Sequence, residues 1–112
     1  MTDARGQRRK HQIARNEALF REVNERVREV SPGNSDETND FLCECGDEDC
    51  TETVALRNEE YEQVRADPLL FVITPGHVIP DVEDMIVRTE RFEVVRKHLR
   101  EGLIARQTDP RS

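Results

Sequence analysis

Three cysteines within eight residues, in the order Cys-Glu-Cys-Gly-Asp-Glu-Asp-Cys, constrain this chain more than any other feature of its sequence. They are Cys43, Cys45 and Cys50, and the chain contains no other cysteine. An odd number of clustered thiols does not form a disulfide framework, but it matches the ligands that Zn²⁺ selects. Gly46 gives the backbone the freedom to turn sharply, so that Cys50 can reach the same centre as the first two cysteines. The sequence therefore predicts a zinc knuckle, by which we mean residues 43–50.

The fourth ligand of this site has to come from another part of the chain, because a closed zinc site needs four ligands. The candidates are His11, His77, His98 and the carboxylates near the knuckle. His77 is the best of them, because it follows a Pro-Gly turn at the end of a predicted buried strand, and such a rigid tip can hold an imidazole against a metal. If water took this position instead, the metal could support hydrolysis. The predicted metal ligands are Cys43, Cys45, Cys50 and His77, with Zn²⁺ as the cofactor and no catalytic residue.

The composition predicts a small soluble protein with a thin core. The chain has 112 residues, of which 37% are charged, and Leu, Ile, Val and Phe together number 27. This is enough for one hydrophobic core, and a bound metal is a common way to stabilise a core of this size. No apolar run approaches the roughly 18 residues of a membrane span, and no signal-type apolar stretch follows the basic start. We therefore expect a cytoplasmic protein.

The charge is unevenly distributed along the chain. The net charge is −7, yet residues 1–15 sum to +4 and the remaining residues sum to −11. An acidic body repels phosphate backbones, so DNA or RNA is not the expected partner. The basic side chains between residues 5 and 15 leave open an alternative in which this arm contacts nucleic acid or an acidic protein surface.

Hydrophobic periodicity predicts an α+β fold with an amphipathic helix in its N-terminal part. Between residues 10 and 30, apolar side chains recur at gaps of 7, 3, 4 and 3 residues, which places them on one face of a helix. These residues are Ile13, Phe20, Val23, Val27 and Val30. The helix is expected either to pack across the rest of the domain or to offer this apolar face to a partner.

The rest of the chain is expected to form a small antiparallel sheet domain stapled by the zinc knuckle. The predicted segments are a disordered basic tail at 1–9, the amphipathic helix at 10–30, an acidic linker at 31–40, the zinc-binding α+β domain at 41–106 and a frayed tail at 107–112. Within the domain we expect strands at 53–56 and 69–73, a short helix capped by Asn58, a hairpin of 85–88 with 92–96, and a weak helix at 98–106. The hairpin is expected although its connection contains no Gly, Asn or Asp.

Three segments carry a resemblance to known proteins: FLCECGDEDC at 41–50, EYEQVRADP at 60–68 and FVITPGH at 71–77. Together they resemble a group of small, uncharacterised bacterial proteins with a Cys-x-Cys-Gly-x3-Cys knuckle and a Pro-Gly-His loop. The resemblance covers about residues 10–110 and implies zinc binding, but it implies no activity. The knuckle alone also resembles the zinc half-site of post-SET segments of protein methyltransferases, whose additional cysteine this chain lacks.

The sequence favours a structural metal over a catalytic one. Three thiolates and one imidazole would fill the tetrahedron, and three thiolates lower the Lewis acidity of Zn²⁺. The chain also lacks a Gly-rich phosphate loop, a Gly-x-Ser-x-Gly elbow and a His-Glu-x-x-His motif. The predicted function is a protein-interaction or regulatory module held together by zinc, with another protein as its partner. The alternatives are a nucleic-acid-associated regulator and a thiol or zinc enzyme.

Overall fold

A computed structural model of the chain describes residues 4–30, 37–47, 49–98, 109 and 111. Within these residues the chain forms two helices and five strands, which confirms the predicted α+β class. In chain order they are α1 (Ala4–Val30), β1 (Thr38–Leu42), β2 (Thr53–Arg57), α2 (Asn58–Arg65), β3 (Leu70–Ile73), β4 (Glu83–Arg88) and β5 (Glu93–Lys97). Neither helix of the described part is both long and apolar enough to cross a membrane.

The strands form two small antiparallel sheets that meet at residues 43–50, the predicted knuckle. The first sheet is the hairpin of β1 and β2, in which Leu42 faces Thr53. The second sheet has the strand order β3-β5-β4. Glu44 joins the two sheets, because its N–H donates to the Val72 carbonyl at 2.8 Å and its carboxylate accepts from the Val72 N–H at 3.0 Å. Glu44, the second residue of the knuckle, thus occupies the edge of β3 that does not pair with β5.

The main hydrophobic core is built by both sheets and α2. Phe41 of β1 stacks on Tyr61 of α2, with ring centroids 4.4 Å apart and planes inclined by 6°. The other buried members of this cluster are Val54, Leu56, Val64, Val72, Phe92 and Val94. None of these buried residues belongs to α1, which adds only the partly buried Val27 to this cluster.

The predicted hairpin is present as β4 and β5, and Thr89 explains how its turn closes without glycine. The Thr89 N–H donates to the Phe92 carbonyl at 2.9 Å, and the Thr89 hydroxyl donates to the same oxygen at 2.8 Å. The hydroxyl also accepts from the Phe92 N–H at 3.0 Å. A threonine side chain thus supplies the local hydrogen bonds that Asn or Asp provide in more common turns.

Two boundaries differ from the predicted ones. α1 begins at Ala4, so residues 4–9 belong to the helix and not to a disordered tail. Arg and Gln dominate this stretch and favour helix, while its single glycine costs only about 1 kcal/mol. β1 begins at Thr38, inside the predicted linker, because it pairs with β2 along its whole length. The predicted helix at 98–106 and the tail at 107–112 fall almost entirely outside the described residues.

α1 packs across the domain, but with a face that differs from its apolar stripe. Val23 is 39% exposed and Val30 is 83% exposed, while Phe20 and Val27 are half-buried. The buried side chains of α1 are Ile13, Glu17, Arg21 and Asn24. The contact face of this helix is therefore largely polar.

Arg21 shows why a charged residue can occupy this face. Its Nη1 donates to the Pro68 carbonyl at 2.7 Å, its Nη2 donates to the Leu70 carbonyl, and its guanidinium lies 3.6 Å from the centroid of the Phe71 ring. Backbone carbonyls that precede and begin β3 and an aromatic face thus replace water around the buried cation.

Candidate metal centre

The cysteines are positioned by the end of the β1–β2 hairpin. The Cys43 N–H donates to the Glu52 carbonyl at 3.1 Å, which continues the strand pairing by one residue beyond Leu42. Farther along, the Cys50 N–H donates to the Asp47 carbonyl at 3.0 Å and closes a turn. The first and last cysteines of the knuckle are therefore held by backbone hydrogen bonds at the end of the same hairpin.

Gly46 is required at the bend between these points. Its φ is +84°, in the left-handed region that favours glycine. A Cβ at this position would lie 2.6 Å from Ile13 Cγ2 and 3.0 Å from the Ile13 carbonyl oxygen. The predicted turn at Gly46 is thus present, and the same residue also lets α1 approach the knuckle closely.

Replacing Gly46 by alanine is expected to destabilise the folded chain by about 2–4 kcal/mol, as backbone strain and a clash with Ile13 act together. Gly76→Ala is the matched control, because Gly76 has a φ of +90° but a Cβ added there would meet no atom within 4 Å. Urea unfolding of both variants under identical conditions measures the difference. Equal losses of stability in the two variants would show that the approach of α1 contributes nothing.

His77 is presented by the connection between β3 and β4. Its N–H donates to the Thr74 carbonyl at 3.0 Å, which forms the turn predicted for Thr-Pro-Gly. The Gly76 N–H donates to Glu93 Oε1 at 2.8 Å and ties the turn to β5. The imidazole thus sits on a braced tip at the end of a buried strand, as the sequence suggested.

The structure brings all four predicted ligands together. One donor atom from each of Cys43, Cys45, Cys50 and His77 lies within 4.8 Å of the others. His77 Nδ1 is 3.5 Å from Cys43 Sγ and 3.7 Å from Cys50 Sγ. A tetrahedral zinc ion with ordinary Zn–S and Zn–N bonds has S···N edges of about 3.6 Å. The cluster therefore has the size of a metal site, and Nδ1 is the ring nitrogen that faces the sulfurs.

Groups around the ligands orient them. His77 Nε2 lies 3.4 Å from Glu52 Oε2, so the ring nitrogen that faces away from the cluster has a carboxylate beside it. The Thr74 N–H donates to Cys43 Sγ at 3.1 Å. Carboxylate partners of ligating histidines and N–H donors to thiolates both fix ligand geometry in metal sites.

The three thiols also change one another's pKa values. Hydrogen bonds from Cys45 and then Thr74 and His77 lower the pKa of Cys43 to about 5, against the effect of burial. The hydrogen bond to Cys43, together with burial, raises the pKa of Cys45, and burial raises the pKa of Cys50. One sulfur is thus already favoured as thiolate, and a divalent cation can replace the protons that the other two hold.

The other sequence candidates do not join the cluster within the described residues. His98 Nε2 lies 3.2 Å from Asp84 Oδ1, at the end of the β4–β5 sheet. Asp47 is exposed and accepts from the Asp49 N–H at 3.0 Å. Glu44 is fully buried, and its carboxylate contacts α1 and β3. The side chain of His11 is outside the residues whose side chains the structure describes.

A cavity of about 540 Å³ opens beside the centre. Cys45 and His77 form part of its wall, so two of the four candidate ligands border it. The remaining lining comes from the knuckle, the His77 turn and α1, namely Gln12, Ile13, Asn16, Gly46, Asp47, Gly76, Val78 and Ile79. The centre is therefore accessible from the side on which α1 lies.

Asn24 is the site residue that sequence reasoning missed, and so is the role of Glu44, which was a candidate only as one of the carboxylates near the knuckle. The Asn24 amide pairs with both backbone groups of Leu42: its Oδ1 accepts from the N–H at 2.7 Å and its Nδ2 donates to the carbonyl at 2.9 Å. The same Nδ2 donates to Glu44 Oε2 at 2.9 Å. A usable signal was the helical spacing of polar residues at 17, 21 and 24, since Asn is otherwise unfavourable inside a helix.

Comparisons of the chain with known protein families, with curated proteins and with solved structures found no match. The resemblance to small bacterial knuckle proteins therefore stays a prediction. What can be said about function rests on the geometry of the Cys3His cluster.

Proposed function

We propose that this protein binds one Zn²⁺ through Cys43, Cys45, Cys50 and His77, and that the ion has a structural role. The observation that carries the proposal is the size of the cluster, whose S···N distances of 3.5 and 3.7 Å match the edges of a zinc tetrahedron. Three soft sulfurs and one imidazole favour zinc over the hard cations Mg²⁺ and Ca²⁺, which take oxygen ligands.

The donor set supports a structural rather than a catalytic ion. Four protein ligands complete a tetrahedron, so no coordination position is left for water or substrate. Two elements distant in sequence supply these ligands, the β1–β2 hairpin and the turn after β3. A shared ion would therefore cross-link the two sheets, and this is the kind of stabilisation that a small core needs.

Metal content and X-ray absorption on the untagged protein test this assignment. We expect one zinc per chain with three sulfur neighbours and one nitrogen neighbour. Three sulfurs with an oxygen would favour the second candidate, a zinc enzyme, whose substrate could reach the ion through the cavity beside Cys45 and His77. Protein that binds no zinc from solution contradicts both.

His77→Ala is expected to weaken zinc binding by more than about 100-fold, beyond the usual cost of losing a residue that only orients a ligand. The control is His98→Ala, because His98 contacts Asp84 and lies outside the cluster. Competition with a chromophoric chelator measures both affinities. Similar affinities for the two variants would exclude His77 as a ligand.

We further propose that the zinc-stabilised fold serves a cytoplasmic protein-interaction or regulatory module. Exposed apolar side chains on α1 support this, since Leu19 is 57% exposed beside Val23 and Val30. Replacing Leu19 and Val23 by serine should abolish capture of a protein partner and leave the zinc content unchanged. If the wild type and the serine variant capture a partner equally well, this face of α1 is not the binding surface.

A further inference from the structure

The way in which α1 is held differs from the way in which the rest of the fold is held. Of the α1 side chains that the structure describes, Ile13 is the one apolar residue that is buried. The other three buried side chains of this helix are polar or charged: Glu17, Arg21 and Asn24. Little hydrophobic area therefore fastens α1, and its position depends on specific polar contacts.

Arg21 and Glu17 contact β3 and Lys97 of β5, whereas several other contacts converge on the residues that flank Cys43 and Cys45. Asn24 pairs with the backbone of Leu42 and donates to Glu44. Closer to the N-terminus of the chain, Asn16 Nδ2 donates to the Gly46 carbonyl at 2.8 Å. Ile13 packs on Gly46 so closely that no side chain fits between them. α1 thus contacts the segment 42–46, which carries two of the four candidate ligands.

Cys43 and Glu44 are held by backbone bonds to Glu52 and Val72, but beyond Glu44 the described contacts that shape the knuckle are few, apart from the ligand cluster. The Cys50 N–H bonds within the loop to Asp47, and the Asp49 N–H bonds to the Asp47 side chain. These short-range bonds do not connect residues 45–50 to His77, whereas a bound ion would. Without the ion, the Gly46 carbonyl is no longer held where Asn16 needs it, and unpaired buried polar groups strongly favour water.

The main core cluster does not share this dependence, whereas the second buried cluster includes Cys43 and Cys45. The main cluster is formed by Phe41, Tyr61 and other residues of the two sheets and α2, and α1 adds only the partly buried Val27. The order β3-β5-β4 is likewise set by backbone pairing among the strands themselves. Releasing α1 therefore removes polar contacts but leaves the largest apolar cluster of the described residues in place.

We propose that metal occupancy of the Cys3His centre controls the docking of α1, so that the protein is a metal-dependent switch. With the ion bound, α1 lies across the knuckle; without it, α1 separates and the sheets and α2 remain folded. The released helix presents Glu17, Arg21 and Asn24 in addition to its exposed apolar stripe, so a partner can distinguish the two states. This inference rests on the proposed zinc site and adds a way in which that site is regulated.

Coupling of this kind is reciprocal, so a residue that docks α1 must also strengthen metal binding. Asn24→Ala is expected to weaken zinc affinity by about tenfold, although Asn24 contacts no ligand atom that the structure records. Asn39→Ala is the matched control, because Asn39 lies on β1 and bonds to Asn58 away from the knuckle. We expect its affinity to be unchanged. Equal affinities for the two variants would overturn the coupling.

Hydrogen exchange on the full unmodified chain tests the switch without any substitution. Amides of α1 from residue 13 to residue 28 should exchange at least about tenfold faster after zinc is removed by a chelator, while amides of β3 and β5 keep their protection. Re-addition of zinc chloride should restore the slow exchange.

Three results overturn the switch, and they are distinguishable. Unchanged protection of α1 after verified metal loss shows that the helix docks without the ion. Equal loss of protection in α1, β3 and β5 shows that zinc holds the whole fold, which keeps the structural site but removes the switch. Absence of bound zinc before chelation overturns the proposed function and the switch together.

Discussion

Replacing Lys97 by methionine is expected to destabilise the folded chain by about 3–5 kcal/mol, the cost of removing one partner from a buried ion pair. The Lys97 ammonium is buried and contacts the carboxylates of Glu17 on α1 and Glu83 on β4. Its removal leaves Glu83 buried without a cation, although methionine fills a similar volume. Urea unfolding at saturating zinc measures the loss.

Arg96→Met is the matched control for this variant. Arg96 is the neighbouring residue on β5, is half-exposed, and pairs with Asp67 at 3.1 Å. An exposed pair of this kind contributes about 0–1 kcal/mol. Adding Glu17→Gln and Glu83→Gln to Lys97→Met should recover part of the stability, because no buried charge is then left alone. Losses of equal size in the two single variants would refute the special role of Lys97.

The stability of the folded chain is also expected to depend on Glu17 as the pH rises from about 4.5 to about 8. Burial raises the pKa of Glu17 from 4.5 to about 8. The charge of Lys97 lowers this pKa, while the charges of Glu83 and Glu44 raise it further. Between these values the folded chain keeps a proton on Glu17 that the unfolded chain has released. Each pH unit in this interval therefore lowers the free energy of unfolding by about 1.4 kcal/mol, and the effect ends above pH 8.

Comparison of the wild type with Glu17→Gln isolates this contribution. Deprotonation of the cysteines would strengthen the proposed zinc binding equally in both proteins as the pH rises, so the difference between their unfolding free energies reports Glu17 alone. As the pH rises, the free energy of unfolding of the wild type should decrease relative to that of the variant. Glu22→Gln, an exposed change on the same helix, should show no such slope. Parallel pH profiles for wild type and Glu17→Gln would contradict the raised pKa.

The metal centre could be predicted from the sequence because its signals are local. The knuckle residues Cys43 to Cys50 are contiguous, Gly46 predicts the bend, and Thr-Pro-Gly predicts the turn before His77. Only the meeting of the knuckle with this turn required a tertiary inference, and the need for a fourth ligand supplied it. The zinc ion itself stays a prediction.

The buried face of α1 could not be predicted, because its partners are not adjacent in sequence. Periodicity arguments assume that apolar residues face the core. Here Arg21 is satisfied by the carbonyls of Pro68 and Leu70, and Asn24 by the backbone of Leu42. Backbone groups are present at every position of every sequence, so nothing in the residue pattern shows which of them will be free to accept a buried side chain.

The pairing of Asn24 with Leu42 has a consequence for how this protein behaves towards its own copies. Both backbone groups of Leu42 point away from β2, and the Asn24 amide occupies them as a neighbouring strand would. Unpaired groups at the border of a sheet are templates for intermolecular strand addition. An intact α1 thus protects this border, and its departure would leave a place where a second chain can add a strand and begin to aggregate.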